Sequence, residues 1–224
     1  MPGTDSIVIK GLSPALGARV EGVDFRSPIN PKIVEEIHEA WMKYQVLVFP
    51  NQCVSDEQHV AVTRYFGEPE VFHQSIIKSK FVKEIFRVSN TDEAGNLMSP
   101  SDPIQQQLSS AKKWHTDSSY RLVPAMGSLL HGIEVSRTGG LTCFTNMYAV
   151  YEALPVNMRK LIDGKKCRHD FEHLSRITGA RKPTDDERAS MPAMWQPMVR
   201  KHPVTGRKSL YISPIYNDKI EDMN

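Results

Sequence analysis

Cysteine is scarce, with Cys53, Cys143 and Cys167 the only three in 224 residues. An odd number at such wide spacing supports neither a disulfide framework nor a zinc knuckle, and a reducing cytoplasm is the expected compartment. Net charge is nearly absent as well: the formal value is +2, spread along the chain, so no strong electrostatic partner is expected and nucleic acid is set aside. No stretch approaches the roughly 20 consecutive apolar residues that span a bilayer. The N-terminus has no basic segment leading into an apolar run, so neither export nor a membrane anchor is expected. Internal repeats and low-complexity tracts are missing too. What remains is an ordinary globular balance, 40% apolar and 24% charged. The length suits one domain with a real core, and a single domain over residues 1–224 is expected.

Short strands and a few helices fill that length. Residues 7–9 and 18–23 read as strands, broken by Ser13-Pro14 and ended by Pro28. Asn30 can cap a helix with Pro31 in its first position, and Ile33, Val34, Ile37, Ala40, Trp41 and Tyr44 then recur on one face. Val46-Leu47-Val48-Phe49, stopped by Pro50, has the unbroken apolar character of a strand covered on both faces. Ser55-Asp56-Glu57-Gln58 matches a capping box, and its helix is expected to run to Gly67. Residues 85–89 predict a strand. Residues 91–113 carry turn chemistry and little periodicity, which predicts a long loop of the kind used as a lid.

Farther on, residues 126–135 and 141–145 predict strands joined at Thr138-Gly139-Gly140. Residues 148–154, capped by Asn146, and 156–163 predict two short helices. The charged, proline-interrupted segment 174–197 reads as an excursion, and residues 198–201 and 209–212 as a hairpin. Many short strands with Gly/Pro turns and a few helices predict a mainly β, α+β chain: a sandwich or jelly roll with helices outside.

The chemistry-bearing stretch is Trp114-His115-Thr116-Asp117-Ser118-Ser119-Tyr120. If it is extended, His115 and Asp117 share a face, because alternate side chains of a strand do. A neutral nitrogen and a carboxylate make two thirds of the 2-His-1-carboxylate triad that holds ferrous iron with positions left open. The plainer alternative is a surface strand with a solvated Asp and a half-buried His.

The same run, followed by Gly139-Gly140-X-Thr142 and by Ala149-X-Tyr151-Glu152-Ala153-Leu154-Pro155, resembles the taurine dioxygenase family, which includes phenoxyacetate-herbicide dioxygenases. So do Val46-Leu47-Val48-Phe49 with Ser55-Asp56-Glu57-Gln58-His59 and Phe66-Gly67-Glu68, and His202-Pro203-X-Thr205-Gly206-Arg207-X-Ser209-Leu210-Tyr211. The likeness runs in order from about residue 7 to the last residue. It implies a double-stranded β-helix, the jelly roll of the clavaminate synthase-like folds, and an oxidoreductase that uses iron(II), 2-oxoglutarate and O2. It implies His115 and Asp117 as metal ligands and as the catalytic pair, and Thr142 as a hydroxyl bonded to the distal carboxylate of 2-oxoglutarate. Without the resemblance, Thr142 reads as a β-former at a strand start.

The family's third ligand, a histidine near its C-terminus, and the arginine after it have no counterpart in this sequence. His131, His169, His173 and His202 stand in other contexts and read as structural. The chain is therefore expected to be part of a longer polypeptide, to bind iron weakly, and to associate through an open barrel edge into homo-oligomers. The implied reaction is hydroxylation of a small organic substrate coupled to oxidative decarboxylation of 2-oxoglutarate to succinate and CO2. Relatives act on small anions, for which His73, Lys112 and Lys113 are candidate contacts. Two readings compete: a metal-free jelly-roll binding or assembly module, and a zinc hydrolase built on the same pair.

Overall fold

A computed structural model describes residues 6–71, 82–92, 94–110, 112–179 and 181–223. In chain order the elements are β1 (Val8–Gly11), β2 (Ala18–Glu21), α1 (Pro31–Tyr44), β3 (Leu47–Val48), α2 (Asp56–Thr63), α3 (Pro103–Ser110), α4 (Met147–Ala153) and α5 (Val156–Ile162). They continue with β4 (Lys166–His169), α6 (Phe171–Thr178), α7 (Asp185–Ser190), β5 (Met194–Pro197), β6 (Val199–Lys201), β7 (Lys208–Leu210) and β8 (Asn217–Ile220). Two compact units contain them: Met1–Pro69 with Leu129–Ala153 and Lys201–Ser209, and Glu70–Ser128 with Leu154–Arg200 and Leu210–Asn224.

The first unit is built on a three-stranded sheet in the order β1-β2-β3. β1 runs antiparallel to β2, with Ile9 opposite Val20, and β3 runs parallel to β2, with Ala18 opposite Leu47. α1 begins where its signals place it: the Asn30 side chain accepts a hydrogen bond from the Lys32 amide at 3.0 Å, and Pro31 takes the first turn. Ile33, Ile37 and Ala40 are buried along its inner face, and Ile33 and Ile37 join Ile29 in a core bordered by Phe25, Leu47, Phe49 and Phe66. α2 has the reciprocal cap, with Gln58 N donating to Ser55 Oγ and Ser55 N donating to Gln58 Oε1. It ends at Thr63, short of Gly67. β3 has only two residues and is an edge strand with Val48 44% exposed, so the run expected to be covered on both faces is open on one.

The second unit carries a sheet in the order β5-β4-β8, with both neighbours antiparallel to the central β4. Against it lies a core of Tyr120, Phe171, Leu174, Met191, Ile215 and Tyr216. β4 and β8 were absent from the expected elements; they are short and polar, and ion pairs support them. Arg168 on β4 holds Asp218 on β8, and Arg176 of α6 reaches both Asp170 and Asp218. The segment 174–197 is bound into this unit by α6, by α7 with its Thr184/Glu187 capping box, and by β5.

Three further expectations fail. Residues 91–113 contain α3, where Asp102 accepts from the Ile104 amide at 2.8 Å and Pro103 opens the helix. That is the cap-then-proline signal seen at Asn30-Pro31, hidden in a stretch rich in turn residues. The 85–89 segment forms no strand among the described residues, Phe86 taking part in a single β-bridge. Nor do residues 126–135 and 141–145, where Leu130, Ile133 and Leu141 are 73%, 83% and 87% exposed. Their apolar, β-branched character predicts strands, but that propensity expresses packing on a half-buried pleated surface, and among the described residues no strand pairs with them.

Candidate metal site at His115 and Asp117

Residues 114–121 belong to the second unit and do not form a strand. The chain is irregular through Thr116 and turns over Asp117–Tyr120, closed by the Arg121 amide on the Ser118 carbonyl at 3.0 Å. Ser118 sits at φ 51°, a left-handed conformation that a non-glycine residue holds only when its surroundings demand it. Those surroundings are specific. Ser118 Oγ donates to both carboxylate oxygens of Glu70 at 3.1 and 2.9 Å, and Arg121 Nε lies 2.9 Å from the same carboxylate. Tyr120 is driven into the core, with ring centroids 4.8 Å from those of Phe171 and Tyr216.

With the turn anchored by residues 118–120, the two donors in front of it converge. His115 Nε2 lies 3.2 Å from Asp117 Oδ1. Two donors of one six-coordinate ion with bonds of about 2.1 Å stand about 3 Å apart, so this separation fits a shared metal. The second nitrogen of the ring is also accounted for: His115 Nδ1 is 2.7 Å from the Lys113 carbonyl, to which it donates, and Nε2 is the nitrogen turned toward Asp117. Asp117 Oδ2 accepts from Ser128 Oγ at 2.6 Å. Each member of the pair supports the other's charge. The hydrogen bond to Asp117 raises the His115 pKa, burial partly opposing it, and the His115 hydrogen bond lowers that of Asp117. Asp117 remains 56% exposed, so that coupling is softened by water.

Thr142 lies in the first unit, exposed on irregular backbone just beyond Gly139 and Gly140, both in the left-handed region at φ 72° and 65°. Among the described residues no group of three or more His, Cys, Asp or Glu gathers as a metal cluster. His131 Nε2 meets the Gln52 carbonyl at 3.2 Å, and His202 Nδ1 accepts from the Val204 and Thr205 amides. His169 is fully buried. Of the substrate-contact candidates, Lys112 and Lys113 are exposed and His73 lies outside the described residues. The supporting residues Glu70, Ser118, Ser119 and Ser128 were missed by sequence reasoning. Only the two serines inside the motif carried any signal.

An imidazole nitrogen and a carboxylate oxygen poised in this way are two of the three donors used by mononuclear non-haem iron oxygenases. Residues 9–224 match the taurine catabolism dioxygenase TauD, TfdA family, and the chain belongs to that family. It is 31% identical over 212 residues to the (S)-phenoxypropionate/alpha-ketoglutarate-dioxygenase of Sphingobium herbicidovorans, an alignment covering 91% of this chain and 69% of that one. With the alpha-ketoglutarate-dependent 2,4-dichlorophenoxyacetate dioxygenase of Cupriavidus pinatubonensis it shares 30% identity over 211 residues, covering 92% and 73%. The crystal structure of AAD-2 in complex with Mn(II) and N-oxalylglycine superposes with a TM-score of 0.85 at 33% identity, covering 98% of this chain and 75% of that one. The chain is accordingly an alpha-ketoglutarate-dependent dioxygenase, an oxidoreductase of the iron(II), 2-oxoglutarate and O2 class, with the family's jelly-roll fold. No helix among the described residues is long and apolar enough to cross a membrane.

Proposed function

We propose that His115 and Asp117 are metal ligands of this dioxygenase, that Thr142 binds the distal carboxylate of 2-oxoglutarate through its hydroxyl, and that the substrate is a small organic anion hydroxylated with release of succinate and CO2. The observation that carries the ligand assignment is the 3.2 Å approach of His115 Nε2 to Asp117 Oδ1, with the other ring nitrogen tied to a carbonyl. Phenoxypropionate and 2,4-dichlorophenoxyacetate in the names of the relatives support an anionic substrate. Residues 1–224 are assigned to a single domain of this family, in agreement with a match that starts at residue 9 and reaches residue 224.

His115 and Asp117 would hold iron(II), which when bound would supply the oxidising chemistry that couples keto-acid decarboxylation to substrate hydroxylation. The protein's part is positioning. The Lys113 carbonyl keeps the proton on Nδ1, Ser128 occupies Asp117 Oδ2, and Oδ1 and Nε2 are left facing each other. Metal uptake requires a neutral imidazole, so binding releases whatever proton the pair shares. Three free cysteines favour a reducing cytoplasm. An open barrel edge favours a homo-oligomer, which light scattering would test.

The deciding assay supplies iron(II), 2-oxoglutarate and O2 and measures succinate, with zinc(II) as control. Asp117→Ala is expected to abolish iron-dependent succinate formation. Unchanged turnover in that variant would remove Asp117 from the ligand set.

A further inference from the structure

His169 lies in the centre of the second unit, on β4, with none of its surface exposed. Its Nδ1 is 2.9 Å from Ser119 Oγ and its Nε2 is 3.2 Å from Cys167 Sγ, while its ring stacks on Tyr211 at a centroid distance of 5.5 Å. Both nitrogens are therefore engaged, and the ring is not free to serve as a metal donor. Ser119 is likewise completely buried and stands two residues after Asp117. The strand beside His169 grips the same turn by its backbone. Gln196, paired with Cys167 across β4 and β5, donates through Nε2 to the Arg121 carbonyl at 3.0 Å and lies 3.5 Å from the Ser119 carbonyl.

We propose that His169 is a positioning residue for the metal site: through Ser119 it holds the turn over Asp117–Tyr120 in the register that aims Asp117 Oδ1 at His115 Nε2. The proposal rests on the assignment of His115 and Asp117 as ligands. Its physical basis is that a turn with a left-handed serine at position 118 has two neighbouring side chains, Ser118 and Ser119, fastened in the same unit to different partners, Glu70 and His169. Releasing one fastening lets the turn relax, and the carboxylate one and two residues upstream loses its aim. Partners that orient metal ligands typically change metal affinity by roughly 10- to 100-fold when removed.

The test is Mn(II) binding, measured by the loss of the free-ion paramagnetic resonance signal at pH 7.5, together with the thermal midpoint of each variant. Asp117→Ala tests the ligand assignment alone: retained affinity there refutes that assignment whatever His169 does. Given its loss, His169→Leu is expected to weaken Mn(II) roughly 10- to 100-fold. His169→Asn, which keeps a hydrogen-bonding group near the place of Nδ1, should recover most of it. Ser119→Ala should lose as much as His169→Leu, with no further loss in the double variant, and it decides the matter should His169→Leu fail to fold. Met191→Ala, in the same core, should lower the midpoint and leave affinity alone. Wild-type affinity in Ser119→Ala, or affinity that tracks the midpoint in every variant including Met191→Ala, would overturn the proposal.

Discussion

Residues 114–120 are expected to be extended and residues 126–135 and 141–145 to be strands; none of them forms a strand, yet the two regions end in opposite states. In the first, Ser118, Ser119 and Tyr120 are buried and every polar group of the two serine side chains has a partner. In the second, Leu130, Ile133, Val135, Leu141 and Phe144 all face solvent on irregular backbone. The difference lies in what surrounds each stretch within its own unit rather than in its composition. An aromatic core and two buried hydrogen-bond partners lock the first into one conformation. The second has no covering layer among the described residues, and its apolar side chains gain nothing from adopting any particular one.

The largest test of that contrast is truncation. Tyr120→Ala is expected to destabilise the protein by about 3 to 5 kcal/mol, as loss of a buried aromatic ring does, and chemical denaturation would read it out. Phe144→Ala in the exposed stretch should stay within about 0.5 kcal/mol of wild type. Equal effects would erase the distinction between the two regions.

A somewhat smaller effect is expected from acid. Burial, and secondarily the charge of Arg200, push the His169 pKa down to about 4. The other groups against the ring, the Cys167 thiol, Ser119 and Tyr211, carry no charge near neutrality, burial raising the thiol to about 11. Between pH about 6.5 and about 4 the unfolded chain takes up a proton at this residue that the folded chain refuses, so stability falls as pH is lowered through that window and this loss stops below it. The full difference corresponds to about 3 kcal/mol. Denaturation at pH 7.5 and 4.5 should show His169→Asn losing less on acidification than wild type. Equal losses would mean that His169 is protonated in the folded state.

The smallest expected change is the most direct check on the exposed stretch. Leu141→Ser should leave the thermal midpoint within a degree or two, since a surface substitution is usually worth less than about 0.5 kcal/mol. A large drop would show that Leu141 is covered in solution.

Local signals were read well. The caps at Asn30, Ser55 and Asn146 act over two or three residues, and all three are present as hydrogen bonds. The hairpin at residues 199–210 formed around Gly206 at φ 69°. The family was legible because its motifs are short and contiguous. What failed were judgements about neighbours: the cover over Val48, the pairing of residues 126–145, and the short polar strands β4 and β8, which depend on Arg168 finding Asp218 fifty positions away.

By itself, then, the sequence determined the family and the starts of α1, α2, α4 and α5, because each is written in residues within a few positions of one another. Only the tertiary structure decided that His115 and Asp117 converge beside a turn, that Glu70 and His169 fasten that turn from 48 and 50 residues away, and that the apolar run after it is uncovered among the described residues. The reason is one of range: a cap or a motif closes on itself, whereas burial and distant hydrogen bonds exist only once the chain has brought the remote partner into place.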